Sequence, residues 1–225
     1  MTNNTSGINT EVKVNGQKLE TVTSFKCVGS VITDEGFKPE MLSRIAQATA
    51  ALTRLKPVWN DRSISLSSKI RLMCSHVTSI FLYTCESWTF TAELRRRTQA
   101  MEMRCYRKIL HISYKDDVTN EEVRAKIQQA IGPHEDFLNI VKRRKLQWYS
   151  HVCRSLGLAK TTLQGTINWI KRQGRQRKRL EDYIMEWTGL EFAKFQRAVE
   201  KRGKCRKLVE KSFVVPKRPS RVRDR

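Results

Sequence analysis

Pro39-Glu40-Met41-Leu42-Ser43-Arg44-Ile45-Ala46-Gln47-Ala48-Thr49-Ala50-Ala51-Leu52-Thr53-Arg54-Leu55-Lys56-Pro57-Val58-Trp59 is the stretch that decides the fold class. Met41, Ile45, Ala48, Leu52, Leu55 and Trp59 recur in it at steps of four and three, which lays one apolar stripe along a helix. The spacing predicts that this helix stops near Pro57, whose ring and missing N–H oppose continuation. The same period returns downstream. Ile70, Met73, Cys74, Val77 and Phe81 form a second stripe after the cap-like region Ser65 to Ser68, and Leu94, Met101, Cys105 and Ile109 form a third. Thr119-Asn120-Glu121-Glu122 has the capping-box form and opens a short helix to about Ala130. Gly132-Pro133 ends that helix, a longer one is expected from His134 to Ser155, and further helices near 178–188 and 190–211.

Upstream of this stretch the period is two. Val12-Lys13-Val14-Asn15-Gly16-Gln17-Lys18-Leu19 reads as strand, Asn-Gly turn, strand. Phe25-Lys26-Cys27-Val28-Gly29-Ser30-Val31-Ile32-Thr33 is rich in β-branched residues, is bounded by Asp34-Glu35-Gly36, and reads as the next strand. The expected fold is mainly α: a helical bundle with a small N-terminal β-hairpin and strand unit, ending in a basic, partly disordered C-terminal tail. Residues 1–10, rich in Thr, Asn, Ser and Gly, and the tail 213–225, with Pro216 and Pro219, are the expected disordered ends.

Charge points to the partner. The 225 residues carry 44 Lys and Arg against 22 Asp and Glu, a formal net charge of +22, which makes a polyanion the default partner and argues against an ordinary metabolic enzyme. Residues 1–50 are neutral overall, whereas 201–225 hold eleven basic and two acidic side chains, so polyanion contact should strengthen toward the C-terminus. The densest runs are Arg95-Arg96-Arg97, Lys142-Arg143-Arg144-Lys145, and the set Lys171, Arg172, Arg175, Arg177, Lys178 and Arg179. Such runs can also be a solvated helix face or a nuclear-import signal. Trp148 and Tyr149 follow the second run within a turn and would supply stacking surface for a base. The candidate nucleic-acid-binding residues are therefore Lys142 to Lys145, Trp148, Tyr149 and the basic residues of 171–179. No stretch is apolar enough to cross a membrane, and no secretory signal opens the chain, so an intracellular and nuclear location is expected, with no membrane partner. Six widely spaced cysteines without a C-x-x-C pair fit reduced, buried thiols.

Tyr114-Lys115-Asp116-Asp117 has the Tyr-x-Asp-Asp form in which adjacent carboxylates hold a divalent metal for nucleotide transfer. That chemistry needs the pair at the tip of a β-hairpin; here it lies between two helices and reads as a polar connector. Cys74-x-His76 and His151-x-Cys153 would point their side chains about 200° apart on a helix, which suits no shared ion. A composite of Cys85, Cys105 and His151 is the remaining metal candidate, against buried thiols and a satisfied histidine. No phosphate-cradling Gly-rich loop or nucleophile elbow occurs. No catalytic residue, metal ligand or cofactor is expected.

Five segments in order resemble the region after the catalytic motif in reverse transcriptases of LINE-type (non-LTR) retrotransposons. They are Val14-Asn15-Gly16 with Phe25 to Thr33; Tyr83-Thr84-Cys85-Glu86-Ser87-Trp88-Thr89; Glu102 to Leu110; Val118 to Val123; and Arg143 to Val152. Gly174-Arg175-Gln176-Arg177-Lys178-Arg179 is similar to the basic stretch that closes many of these reading frames. The resemblance implies that 11–35 is the end of a palm, with a primer-grip-like strand in Phe25, Lys26, Cys27, Val28 and Gly29. It further implies that 36–112 is a thumb-like bundle, 113–170 a helical C-terminal region and 171–212 a basic helical segment. The family's catalytic aspartates, which hold Mg2+, lie upstream of the matching part, so a truncated enzyme is expected that grips RNA or DNA without sequence preference. The alternative is a host-adopted or remnant interaction module. In it the stripes Met41 to Trp59 and Ile70 to Phe81 would be exposed and drive self-association.

Overall fold

A computed structural model of the chain describes residues 13–18, 20, 22–33, 36–155, 157–164 and 179–213. Expectations for 1–10, for 171–178 and for the tail beyond 213 lie outside the described residues. The fold is mainly α, with two small antiparallel sheets at its N-terminal end. In the first, β1 (Lys13–Val14) pairs with β2 (Gln17–Lys18), Val14 opposite Gln17. Asn15 and Gly16 turn it with φ of 51° and 81°, the left-handed pair that a two-residue hairpin of this twist requires.

Phe25 to Thr33 differs from expectation. It is a second hairpin, in which β3 (Ser24–Cys27) pairs with β4 (Ser30–Thr33) in a register that sets Phe25 opposite Ile32. The reversal falls at Val28-Gly29, with φ of 48° and 79°. No turn signal other than Gly29 marked it, because a β-branched residue stands where Asn or Asp usually does.

The first apolar stripe folds as two helices, α1 (Lys38–Arg54) and α2 (Lys56–Asn60). Pro57 sits in the first turn of α2, where its missing N–H has no intrahelical partner to lose, so it starts a helix instead of ending one. Trp59 is buried after it and donates its indole N–H to the Leu52 carbonyl at 2.8 Å. Next come α3 (Leu66–Leu72), capped by Ser65, a π-helical turn (Met73–Val77) and α4 (Thr78–Phe81). In the wider turn each residue advances less than in an α-helix, so Val77 and Phe81 swing back over Met73. Cys74 is thereby left on the exposed side, outside the stripe the sequence assigned it to.

The remaining helices are α5 (Ala92–Leu110), α6 (Asn120–Ile131), α7 (Phe137–Arg154), α8 (Leu158–Gln164), α9 (Leu180–Thr188), α10 (Phe192–Glu200) and α11 (Arg202–Ser212). The expected helix 190–211 is broken at Lys201, whose backbone is extended. Helix α7 begins three residues later than expected because two acids meet its N-terminus. Asp136 accepts from the Asn139 amide at 2.6 Å, and the buried Glu102 of α5 accepts from the Phe137 amide at 3.0 Å. Glu102 also faces Arg124 of α6 and the Tyr106 hydroxyl, which reaches His134 Nε2 at 2.8 Å. Burial pushes the Glu102 carboxyl up and the His134 ring down from their ordinary pKa values.

One core joins all of this. Phe81 lies between Trp88 and Phe137, with ring centroids 5.7 and 6.0 Å away. The C-terminal helices belong to the same body: Tyr149 of α7 meets Phe192 and Phe195, and Phe90 meets Tyr183 and Trp187. Phe213, expected in the tail, is buried in this core. The stripes Met41 to Trp59 and Ile70 to Phe81, Cys74 apart, pack into this core and are not laid open on the surface.

Candidate functional site

The run Lys142 to Lys145 occupies one turn of α7, and three of its four side chains are spent inside the molecule. Arg143 makes a two-armed pair with Glu135, at 2.9 and 3.0 Å. Arg144 donates to the Leu82 carbonyl at 2.7 Å, and Lys145 donates through Nζ to the Glu86 carbonyl at 2.8 Å. Lys145 is only 6% exposed, and burial lowers its pKa from 10.5 to about 8. Helix α7 runs between the 82–88 segment and α10–α11, which explains why so basic a turn is half-buried and bonded to its own chain. Only Lys142 of the four is left without a bond among the described residues. Tyr149 is 3% exposed and serves the core, whereas Trp148 is 39% exposed. Of the second basic set, Arg179 is described and exposed; its backbone amide donates to Asp182 at 2.7 Å, ahead of α9. Lys171, Arg172, Arg175, Arg177 and Lys178 lie outside the described residues.

The exposed basic face that the residue-by-residue reading missed is on α11. Cys205 and Val209 point into the core, and Cys205 is tied to Ser150 of α7 at 3.1 Å. On the opposite side Lys204, Lys207 and Lys211 follow at i, i+3 and i+7 and share one exposed stripe. None of the three makes a hydrogen bond or ion pair among the described residues. Arg206 pairs with Glu210 at 3.1 Å, both well exposed, and Arg202 is exposed. The charge excess of 201–225 was visible in the sequence; the i, i+3, i+7 spacing was the signal that could have singled these lysines out. Arg95 to Arg97 splits: Arg97 pairs with Glu93 at 2.8 Å, Arg95 lies 5.0 Å from the Phe90 ring centre, and Arg96 is exposed.

The primer-grip-like residues sit on the β3–β4 hairpin, outward from the body. Phe25, Val28 and Ile32 expose apolar side chains there, and Lys26 and Cys27 are exposed beside them. Three hydrogen bonds moor the hairpin. The Val31 amide donates to Glu40 Oε2 at 2.7 Å, Arg44 donates to the Gly29 carbonyl, and the Tyr83 hydroxyl donates to the Val28 carbonyl at 2.9 Å. Glu40 and Arg44 are a buried pair at 2.6 Å, and the guanidinium carbon lies 4.5 Å over the Tyr83 ring centre. Three of the five segments quoted above therefore meet at residues 82–88: the hairpin through Tyr83, and α7 through the carbonyls of Leu82 and Glu86.

Asp116 and Asp117 stand where a connector was expected. Tyr114–Asp116 is a single tight turn in which Ser113 and Asp116 cap each other, and Asp116 accepts from the Ser113 amide at 2.6 Å. Asp117 follows in the left-handed region, with φ of 47°. Cys85 and Cys105 are buried thiols pushed up to about 11 and about 12 by burial, while His151 is exposed. Among the described residues no group of three His, Cys, Asp or Glu side chains is placed to hold a metal ion. None of the six cysteines is in a disulfide, and Cys27 and Cys74 are exposed instead of buried. No described helix is long and apolar enough to cross a membrane.

Comparison with known proteins finds a relative in Caenorhabditis elegans that is described as a transposon-derived protein. The two are 28% identical over 175 residues, covering 74% of this chain and 61% of the relative. The chain thus spans about three fifths of that protein's length. No family model matches the chain, and no solved structure matches it. The likeness supports a transposon-derived origin.

Proposed function

We propose that the chain corresponds to the post-catalytic part of a LINE-type reverse transcriptase and binds RNA or DNA without sequence preference and without extending a strand. The observation that carries this reading is the unpaired lysine stripe of α11, on a chain whose formal charge is +22. Lysines free of internal partners are available to neutralise phosphates and release the counterions condensed on them, a contribution indifferent to base identity. Trp148 adds a ring face on which an unpaired base can stack. The transposon-derived relative and the order of the five segments support the origin; the geometry of Asp116, held as a turn cap, supports the absence of polymerase chemistry.

The interaction-module reading keeps one favouring observation, the exposed Phe25, Val28 and Ile32 of the β3–β4 hairpin. The two readings separate in a primer-extension assay combined with a binding measurement on the same labelled duplex. Binding without extension is expected in the presence of Mg2+ and deoxynucleotides. Incorporation that vanishes in Asp116→Asn would contradict the proposal, and absence of binding at low salt would leave the interaction module as the better reading.

A further inference from the structure

Two hairpin turns of the chain share one geometry, and only one is relaxed. Asn15-Gly16 and Val28-Gly29 take nearly the same positive φ angles, 51° and 81° against 48° and 79°. Asn adopts the left-handed region readily because its short polar side chain can bond locally. A β-branched side chain there crowds its own backbone and is a conformational outlier. Val28 is 83% exposed, so packing of its own side chain does not offset the strain. A two-stranded hairpin by itself is marginal in water and would not hold such a turn. Strained turns persist where the surroundings over-determine them.

The surroundings here are specific. Both turn carbonyls are taken: Val28 by the Tyr83 hydroxyl at 2.9 Å and Gly29 by Arg44. The return strand is taken at Val31 by Glu40 at 2.7 Å. Arg44 is fixed in turn by Glu40 and by the Tyr83 ring beneath it. Ser30 and Thr84 hydroxyls face each other at 3.5 Å on the same seam.

We propose that Glu40, Arg44 and Tyr83 form a clamp that holds the Val28-Gly29 tip in a strained, preset position, with Tyr83 and Arg44 as its positioning residues. The inference does not depend on what the hairpin touches. Releasing the clamp frees the tip while the helical body stays folded, because Tyr83 reaches the hairpin through one hydroxyl and its ring remains under Arg44.

Tyr83→Phe isolates that hydroxyl, whereas replacing Arg44 would leave the buried Glu40 without its partner and endanger folding. Hydrogen exchange followed by mass spectrometry on the full chain reads the result. Amides of 24–33 are expected to exchange at least tenfold faster in Tyr83→Phe, with α5 and α7 unchanged. Adding Val28→Asn should restore most of the lost protection, because Asn takes the turn angles without strain. Exchange at 24–33 within twofold of the wild type would overturn the clamp. So would equal acceleration in α5 and α7, or no recovery with Val28→Asn, since an ordinary packing defect is not repaired by relaxing a turn.

Discussion

Lys204→Glu, Lys207→Glu and Lys211→Glu, introduced together, are expected to weaken binding to a primer–template duplex by roughly a thousandfold near 0.1 M salt. Each lysine that meets a phosphate contributes about 0.9 to the slope of log affinity against log salt, so the slope should become shallower by about 3. The loss should be uniform across unrelated sequences, because phosphate contacts carry no base information. The fold should survive: the three side chains lie opposite Cys205 and Val209 and make no bond that the core depends on. Unchanged circular dichroism and melting temperature, measured beside the titration, separate lost contact from lost structure. An unchanged affinity would show that α11 is not the binding face.

Lys145→Met is expected to do the opposite, changing stability and leaving the salt slope alone. The folded-state pKa of Lys145, about 8, lies below its ordinary 10.5 because burial penalises the charged form. Between these values the unfolded chain binds more protons than the folded one, so this group makes stability rise with pH through that window and adds nothing further below about 8. The window corresponds to about 3 kcal/mol by linkage. Cys85 and Cys105, pushed up to about 11 and about 12, work in the other direction above their ordinary range. The informative quantity is therefore the difference between the wild-type and variant curves from chemical denaturation at pH 7 to 10.5. Lys145→Met should be the more stable at pH 7, and the gap should close as the pH rises, because Met removes the buried charge and keeps the stem's packing. A gap that does not change with pH would mean the ammonium is hydrated in the folded protein.

The helices were legible because their stripes are long and regular: Leu94, Met101, Cys105 and Ile109 are all buried on α5, as their spacing required. The first hairpin was legible because Asn15-Gly16 writes its turn outright. The second was not, since Val28 carries the signature of a strand interior and only contacts from residues 44 and 83 make its turn tenable. Pro57 misled for a related reason: the same ring that ends one helix can begin another, and the choice rests on the chain's path at Leu55.

The basic run on α7 was the least legible part of the candidate site. A sequence shows four positive charges beside two aromatic rings, but the acceptors that internalise Arg144 and Lys145 are backbone carbonyls about sixty residues away. Glu40 and Glu102 are the same lesson in acids. Each looks like a surface residue of a helix, and each is buried because amides of another segment, Val31 and Phe137, need an acceptor. Charge density marked the basic C-terminal end of the chain; only packing could tell the unbonded lysines of α11 from the committed residues of α7.

The salt dependence of the unmodified chain binding a fluorescent primer–template duplex tests the central claim most directly. Log affinity is expected to fall linearly with log salt, with a slope steeper than roughly −5, and to differ little between two unrelated sequences. A flat response, or a strong preference for one sequence at every salt concentration, would contradict phosphate-backbone binding as the chain's activity.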